Sequence, residues 1–383
     1  MSDAPRVLLD ATSIPPSRGG VARFIAGLAA GLEQNGRVID IVVKADDLDF
    51  LTAAAPGHRY HVAPARLSRR PARLLWEQRG LPALARRLGC TVIHSPHYTF
   101  PLLTRARRVV TVHDATFFSS PEAHSRLKGE FFRRWIRLAG HRADHLVAVS
   151  EATAGEIRRV VPDLRPDITV AYLGVDTSVF HRPDAAAVET VRRELGLAPD
   201  EEWIAFLGTI EPRKNVPALI RAVRALRASR PDTPKLVLSG SRGWDEDALR
   251  LLDDPATASD VVEAGYLPLE SLGAFLGGAR VVVYPSLGEG FGLPVLEAMA
   301  SGAAVLTTRR LSIPEVGGDA VAYAEPDALS IEKALAVLLS DSEERLELSV
   351  AALARSSRFT WAACAEVYQH AYDGTSGNEA PAR

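Results

Sequence analysis

Val283-Tyr284-Pro285-Ser286-Leu287-Gly288-Glu289-Gly290-Phe291-Gly292-Leu293-Pro294-Val295-Leu296-Glu297 reads as a strand that runs into a glycine loop and then into a helix. The apolar run ends at Tyr284, the three glycines let the backbone turn and come close to a ligand, and Pro294 suits a first helical turn. The N–H groups of such a turn, together with the positive end of the helix dipole, favour an anion. A diphosphate is therefore expected against Gly290, Phe291, Gly292 and Leu293. Glu289 in the loop and Glu297 in the helix would flank it. Carboxylates are poor phosphate ligands, so both are read as acceptors for hydroxyls of a sugar or a ribose. A dinucleotide fingerprint does not fit, because its third glycine would fall at Leu293. The bland alternative is an ordinary glycine-rich turn with surface glutamates.

Upstream of this stretch, Trp203–Leu207, Lys235–Leu238 and Val261–Ala264 read as strands, as do Val281–Tyr284 and, beyond the helix, Ala304–Thr307. The first half repeats the pattern with Arg6–Asp10, Ile39–Val43, Thr91–His94, Val109–Val112 and His145–Val149. Val21, Phe24, Leu28 and Leu32 recur at helical spacing and stop near Asn35-Gly36. Strands alternating with helices indicate α/β units with mainly parallel, doubly wound sheets, and 383 residues suit two of them. The expected division is 1–180 and 181–360, with a last helix over 361–373 that suits either unit. A tail from Gly374 onward, rich in small residues and proline, is expected to fray. Two such sheets are expected to face each other across a cleft, with ligands beyond the carboxyl ends of the strands.

Other candidate side chains fall at those ends. Gly208-Thr209-Ile210-Glu211-Pro212-Arg213-Lys214-Asn215 follows a strand, and Asn215 and Pro217 are expected to start the next helix. Arg213 and Lys214 then stand where they neutralise a bound diphosphate, with Gly208 on the same side. Alone, an Arg-Lys pair is usually a solvated surface feature; its coincidence with the glycine loop favours the functional reading. Tyr266 and Leu267 follow another strand, at the same edge of the sheet. In the first half, the loop carrying Pro15, Pro16, Gly19 and Gly20 opens a helix, and its glycines permit close approach of a substrate. Arg18 and Arg23 flank these glycines, with an anionic acceptor or plain solvation as their use. Val112-His113-Asp114 ends a strand and offers His113 to a ligand hydroxyl, or to a structural hydrogen bond. Neighbours on an extended chain point to opposite sides, so His113 and Asp114 are not expected to form a dyad.

Glu289-Gly-Phe-Gly-Leu-Pro-Val-Leu-Glu297, followed by Ala298-Met-Ala-Ser-Gly302, resembles the Glu-x7-Glu signature of retaining glycosyltransferases of family 4. Gly-Thr-Ile-Glu-Pro-Arg-Lys-Asn resembles mannosyltransferase-like members in particular, and the similarity extends over nearly the whole chain. The resemblance implies a GT-B fold with two Rossmann-like domains, an N-terminal one for the acceptor and a C-terminal one for a nucleotide sugar. It implies Glu289 on the transferred hexose, the backbone of Phe291 to Leu293 on the diphosphate, and Glu297 on the ribose. It also places Arg213 and Lys214 on the donor phosphates, Gly19 and Gly20 beside both substrates, and His113 near the sugar, with the expected base beside Tyr266 and Leu267; Asp114 and Arg18 are read on the acceptor side. GDP-mannose is the donor expected from it, and a glycan or lipid-linked acceptor the partner, in cell-surface polysaccharide or glycoconjugate synthesis. A UDP-sugar-dependent transferase and a sugar-nucleotide epimerase on the same scaffold are the alternatives; a non-catalytic sensor is disfavoured by the retained Glu289, Arg213 and Lys214.

Composition narrows the remaining classes. Hydrophobic residues are 47% and charged residues 24%, as in ordinary folded domains, and no apolar run is long enough for a membrane span. The start is too acidic for a secretory leader, which places the chain in the cytosol by expectation. Cys90 and Cys364 are far apart and lack metal-spaced neighbours, so neither a disulfide nor zinc is expected. No Asp-x-Asp marks the relevant loops and no other cofactor is implied; the transfer is expected to need no metal. No Gly-x-Ser-x-Gly elbow is present, which disfavours hydrolase chemistry. Nucleic acid is not an expected partner. Residues 1–180 carry 25 Lys and Arg against 17 Asp and Glu, and the rest 20 against 30. The basic half, the arginines between Arg66 and Arg87, and the stripe of Phe131, Phe132, Trp135, Ile136 and Leu138 backed by Arg133, Arg134 and Arg137 leave two uses open. They are core packing with a solvated back, which the stripe favours, or peripheral contact with an anionic inner membrane face.

Overall fold

The computed structural model describes residues 4–15, 18–68, 70–119 and 126–375. Pro16, Arg69, the side chains of Arg66 and Arg70, and the tail from 376 lie outside the described residues. The chain divides into two compact units, 1–174 with 359–383, and 175–358. The division falls at Gly174/Val175 rather than after Phe180, and the last helix, Trp361–Asp373, belongs to the first unit.

The first unit holds a seven-stranded sheet of β1 Val7–Asp10, β2 Asp40–Val43, β3 Arg59–Val62, β4 Val92–Ser95, β5 Arg107–Val112, β6 His145–Ala148 and β7 Ile168–Val170. Its spatial order is β3-β2-β1-β4-β5-β6-β7, and every pairing is parallel. The second unit holds β8 Trp203–Leu207, β9 Lys235–Ser239, β10 Val261–Gly265, β11 Val281–Tyr284, β12 Val305–Thr307 and β13 Ala322–Tyr323. These run in the order β10-β9-β8-β11-β12-β13, again all parallel. In each sheet the order reverses once, between β1 and β4 and between β8 and β11. Open α/β sheets present their ligand crevice at such a reversal, beyond the carboxyl ends of the strands.

The central strands are fully buried runs, as parallel sheets covered on both faces require. The helix Gly20–Gln34 buries Phe24, Leu28 and Leu32 on one stripe. Side-chain caps start several other helices: Ser150 accepts from the Thr153 N–H, and Asp245 from those of Asp247 and Ala248.

The last helix docks on the first unit through both shape and polarity. Gly27 and Gly31 of Gly20–Gln34 leave room for Trp361; a Cβ on Gly27 would stand 2.0 Å from the indole, and one on Gly31 2.1 Å from the Trp361 carbonyl oxygen. Deeper in, the phenol of Tyr372 meets His94 Nδ1 at 2.8 Å, His94 Nε2 meets the Thr111 hydroxyl at 2.8 Å, and that hydroxyl meets the Tyr368 phenol at 2.9 Å. All four side chains are buried, so each is satisfied where water cannot reach. Arg107 donates to the carbonyls of Ala371 and Tyr372 and closes the helix C-terminus.

Of the stripe on the helix Arg126–Arg142, Phe132, Trp135, Ile136 and Leu138 pack on the core and Phe131 is exposed. Phe132 stacks on Phe117 at 4.9 Å and meets Tyr98 at 4.8 Å, Trp135 meets Phe100 at 5.5 Å, and Ile136 is buried. Arg133 donates to the Phe117 carbonyl and pairs with Glu130, and Arg137 lies over the Phe118 ring. Among the described residues no helix is long and apolar enough to cross a membrane.

Candidate functional site

The loops after β8 and β11, the two strands at the reversal of the second sheet, interlock. After β8 the chain forms a short 3-10 turn, Pro212–Lys214, instead of an open loop. Asn215 follows with φ +56° and heads the helix Val216–Ser229, but its side chain does not cap that helix as expected. Its Nδ2 donates instead to the carbonyls of Pro285 and Pro326, at 3.2 and 2.7 Å, and ties the turn to the loop after β11. The Arg213 carbonyl in turn accepts from the Leu287 N–H at 2.8 Å. After β11, Gly292 sits at φ +102° and heads the helix Leu293–Ala300, with Pro294 in its first turn. A Cβ on Gly292 would also press on Ile313 at 2.9 Å, so both backbone angle and space require glycine there.

This interlock brings Arg213, Lys214 and Glu289 together. Glu289 Oε1 accepts from Lys214 Nζ at 2.8 Å, from the Ser286 hydroxyl at 2.6 Å and from the Tyr284 phenol at 3.1 Å, while Oε2 accepts from Arg213. Lys214 also donates to the Tyr284 phenol and lies over its ring at 4.7 Å. Arg213 further donates to the Gly288 carbonyl at 2.9 Å and to Glu211 at 2.7 Å. Lys214 and Glu289 are only 8% and 7% exposed, which makes their mutual charge compensation mandatory. Burial alone would raise the Glu289 pKa, but Arg213 and Lys214 outweigh it and, with the Ser286 hydroxyl, hold the carboxyl down at about 2. Burial also presses the Lys214 pKa below its ordinary value, opposed by Glu289, and pushes the Tyr284 phenol well up.

The remaining predicted residues are distributed over the two units. Gly290, Phe291 and Leu293 are buried in the turn with Gly292. Glu297 is 1% exposed, inside the helix Leu293–Ala300. Gly208 lies between β8 and the turn, its N–H on the Ser239 carbonyl. Tyr266 is 64% exposed after β10, with Leu267 half-buried beside it. In the first unit, Gly19 caps the helix that Gly20 opens, and a Cβ on either would meet nothing within 4 Å. His113 Nε2 donates to the Pro96 carbonyl at 2.7 Å, with the ring edge-on to Phe24 at 4.7 Å. Burial lowers its pKa against the opposing pull of that hydrogen bond and of Asp114, so the ring is neutral and carries its lone pair on Nδ1. Asp114 makes no dyad with it and accepts from the Thr116 N–H and hydroxyl. Arg18, expected on the acceptor side, is engaged within its own unit. It pairs with Asp47 at 3.3 Å, donates to the Asp46 carbonyl and covers Phe50.

Tyr284 and Ser286 were not expected as site residues, although both stand in the decisive stretch. One reads as the end of a strand and the other as loop, and only the folded turn shows where their hydroxyls go. A second unforeseen cluster lies at the carboxyl end of β1. Arg73 bridges Asp10 at 3.6 Å and Glu77 at 3.2 Å, and burial pushes the Glu77 carboxyl up to about 7 despite Arg73. Among the described residues, no three His, Cys, Asp or Glu side chains gather as metal ligands would.

Two family descriptions match the chain: "Glycosyl transferases group 1" over residues 187–355 and "Glycosyltransferase Family 4" over residues 18–179. The chain is 31% identical over 284 residues to O-antigen chain mannosyltransferase B of Escherichia coli, covering 73% of this chain and 74% of that protein. It is 35% identical over 227 residues to the serotype-specific mannosyltransferase WbdA of Escherichia coli, covering 58% of this chain and 28% of that one. Its fold matches that of sucrose-phosphate synthase from Thermosynechococcus elongatus with a TM-score of 0.77 at 20% identity, over 97% of this chain and 100% of that one. The two parallel doubly wound sheets together with these matches define the class: a glycosyltransferase enzyme of GT-B fold. Within that class the chain belongs to glycosyltransferase family 4 and is similar to its mannosyltransferases.

Proposed function

We propose that the chain transfers mannose from GDP-mannose, with retention of anomeric configuration and without a metal ion, to a hydroxyl of a glycan or lipid-linked acceptor. The observation that carries this reading is the convergence of Arg213, Lys214 and Glu289 beside the Gly290–Leu293 turn. Two cations and a helix N-terminus at one strand edge suit a diphosphate leaving group, and they supply the charge stabilisation that a divalent ion would otherwise give. The mannosyltransferase names of the relatives support the sugar, and the O-antigen name of one supports a cell-surface polysaccharide as product. The second unit is the nucleotide-sugar domain and the first the acceptor domain.

The transfer runs on one face of the sugar. The bond from the anomeric carbon to the diphosphate oxygen breaks as the acceptor oxygen bonds to that carbon, and the departing phosphate oxygen takes the acceptor's proton. Arg213 and Lys214 stabilise the charge that develops on the diphosphate, and the rest is positioning. Glu289 takes a hexose hydroxyl, Glu297 the ribose, and the Tyr266-Leu267 segment the base. His113 accepts a sugar hydroxyl at Nδ1. Open space over Gly19 and Gly20 suits close approach of substrate. The basic first unit suits peripheral contact with an anionic membrane when the acceptor is lipid-linked. Cosedimentation with vesicles of anionic but not neutral lipid is the expected behaviour, and equal recovery with both contradicts it.

Thermal-shift measurement against a panel of nucleotide sugars tests the donor, since a bound ligand raises stability by mass action. GDP-mannose is expected to raise the melting temperature most. A larger rise with UDP-sugars reassigns the base, and no rise with any of them contradicts the reading. Donor incubated without acceptor is expected to yield no epimer.

A further inference from the structure

The four ionic groups around the turn, Arg213, Lys214, Glu211 and Glu289, sum to zero charge, and both cations are engaged by carboxylates. A diphosphate gains little from a neutral cluster unless those pairs loosen. Once Arg213 and Lys214 turn to a diphosphate, a buried carboxylate loses its two charged donors and needs others to stay in place. Only neutral hydroxyls then remain of the donors that now surround Glu289. Resting on the donor reading above, we propose that Tyr284 and Ser286 are positioning residues: their hydroxyls hold Glu289 Oε1 while the donor diphosphate draws Arg213 and Lys214 away, leaving Oε2 for a hydroxyl of the sugar.

Both side chains are mounted for such a task. Tyr284 ends β11 with its ring stacked on Phe206 at 5.8 Å, and is fully buried. Ser286 is also fully buried. Its oxygen stands 3.0 Å from the Arg213 carbonyl and 3.2 Å from that of Gly288, but its one hydrogen goes to the shorter, charge-assisted contact with Glu289 at 2.6 Å. The carbonyl of Glu289 accepts from the Ser312 hydroxyl at 2.8 Å, so its backbone is fixed independently of the side chain.

The test uses Tyr284→Phe and Ser286→Ala in the full chain. It reads kcat and donor KM, GDP and UDP affinity by titration calorimetry, melting temperature, and the pH profile of kcat. Each variant is expected to lose about tenfold in kcat, with donor KM and nucleoside diphosphate affinity within about threefold of wild type. The acid limb of kcat should also move to higher pH, because hydroxyl donors favour the ionised carboxylate. Retention of kcat within about twofold by both variants overturns the proposal. So does parallel loss of kcat, diphosphate affinity and melting temperature, which is the signature of a structural role. Wild-type protein that binds neither GDP nor UDP instead overturns the donor reading beneath it.

Discussion

Replacement of Lys214 by Met keeps the volume of the side chain but removes its charge, so the effects separate cleanly from those of a cavity. Glu289 is held from 4.5 down to about 2 in the folded chain. At about 1.4 kcal/mol per pKa unit, that depression corresponds to about 3 kcal/mol of stability. Because the folded pKa is the lower one, the contribution is complete above about pH 4.5 and drains away as the pH falls toward 2. Without Lys214 the carboxylate keeps Arg213 but faces the same burial, and its pKa rises. Stability at pH 7 should then fall by less than about 3 kcal/mol, because the cost of burying the Lys214 ammonium, which lowers its own pKa, is removed with it, and the onset of acid destabilisation should move to higher pH. On the catalytic side, one well-placed stabiliser of a developing oxyanion is worth about 3 kcal/mol, so kcat should drop about a hundredfold or more. Urea unfolding followed by circular dichroism at pH 7 and pH 4, alongside initial rates with the donor, measures both effects. A variant with kcat within about threefold of wild type, or with an unchanged urea midpoint at both pH values, would refute the reasoning.

Asp40→Asn tests a structural hub at the opposite edge of the first sheet. This buried carboxylate takes Arg6, Arg59 and His61, which together hold it well below the usual carboxylate range against the cost of burial. Its loss should lower stability at pH 7 by about 3 kcal/mol while leaving kcat at 25 °C unchanged, as read by urea midpoint and rate assay. Gly31→Ala forces a methyl onto the Trp361 backbone and should cost about 1 to 3 kcal/mol, with the last helix exchanging its amide hydrogens faster than in wild type. EDTA should leave transfer intact; complete loss reversible by Mg²⁺ would contradict the metal-free mechanism.

Most of the architecture was legible because its central strands are uninterrupted apolar runs, and burial on both faces leaves such runs no other use. The strands that escaped notice are edge strands. β3 is Arg-Tyr-His-Val with both ends exposed, β7 has three residues, and β13 only two. An edge strand faces solvent and needs no continuous hydrophobic signal. At the candidate site, residue types and positions along the chain were readable: two cations after β8 and a glycine turn after β11. The Arg213–Glu289 and Lys214–Glu289 pairing was not, because it depends on how two loops some seventy residues apart interlock through Asn215 and Arg213. The four donors that surround Glu289, and the pairing of Arg18 with Asp47, were likewise not readable. Local sequence carries a residue's chemistry, whereas its partners are set by tertiary contacts.

A crystal structure of the chain soaked with GDP-mannose or GDP tests the donor site most directly. The diphosphate should lie within hydrogen-bonding distance of Arg213, Lys214 and the N–H groups of the Gly290–Leu293 turn. Nucleotide density at any other place, with the Arg213–Glu289 pair unchanged, would contradict it.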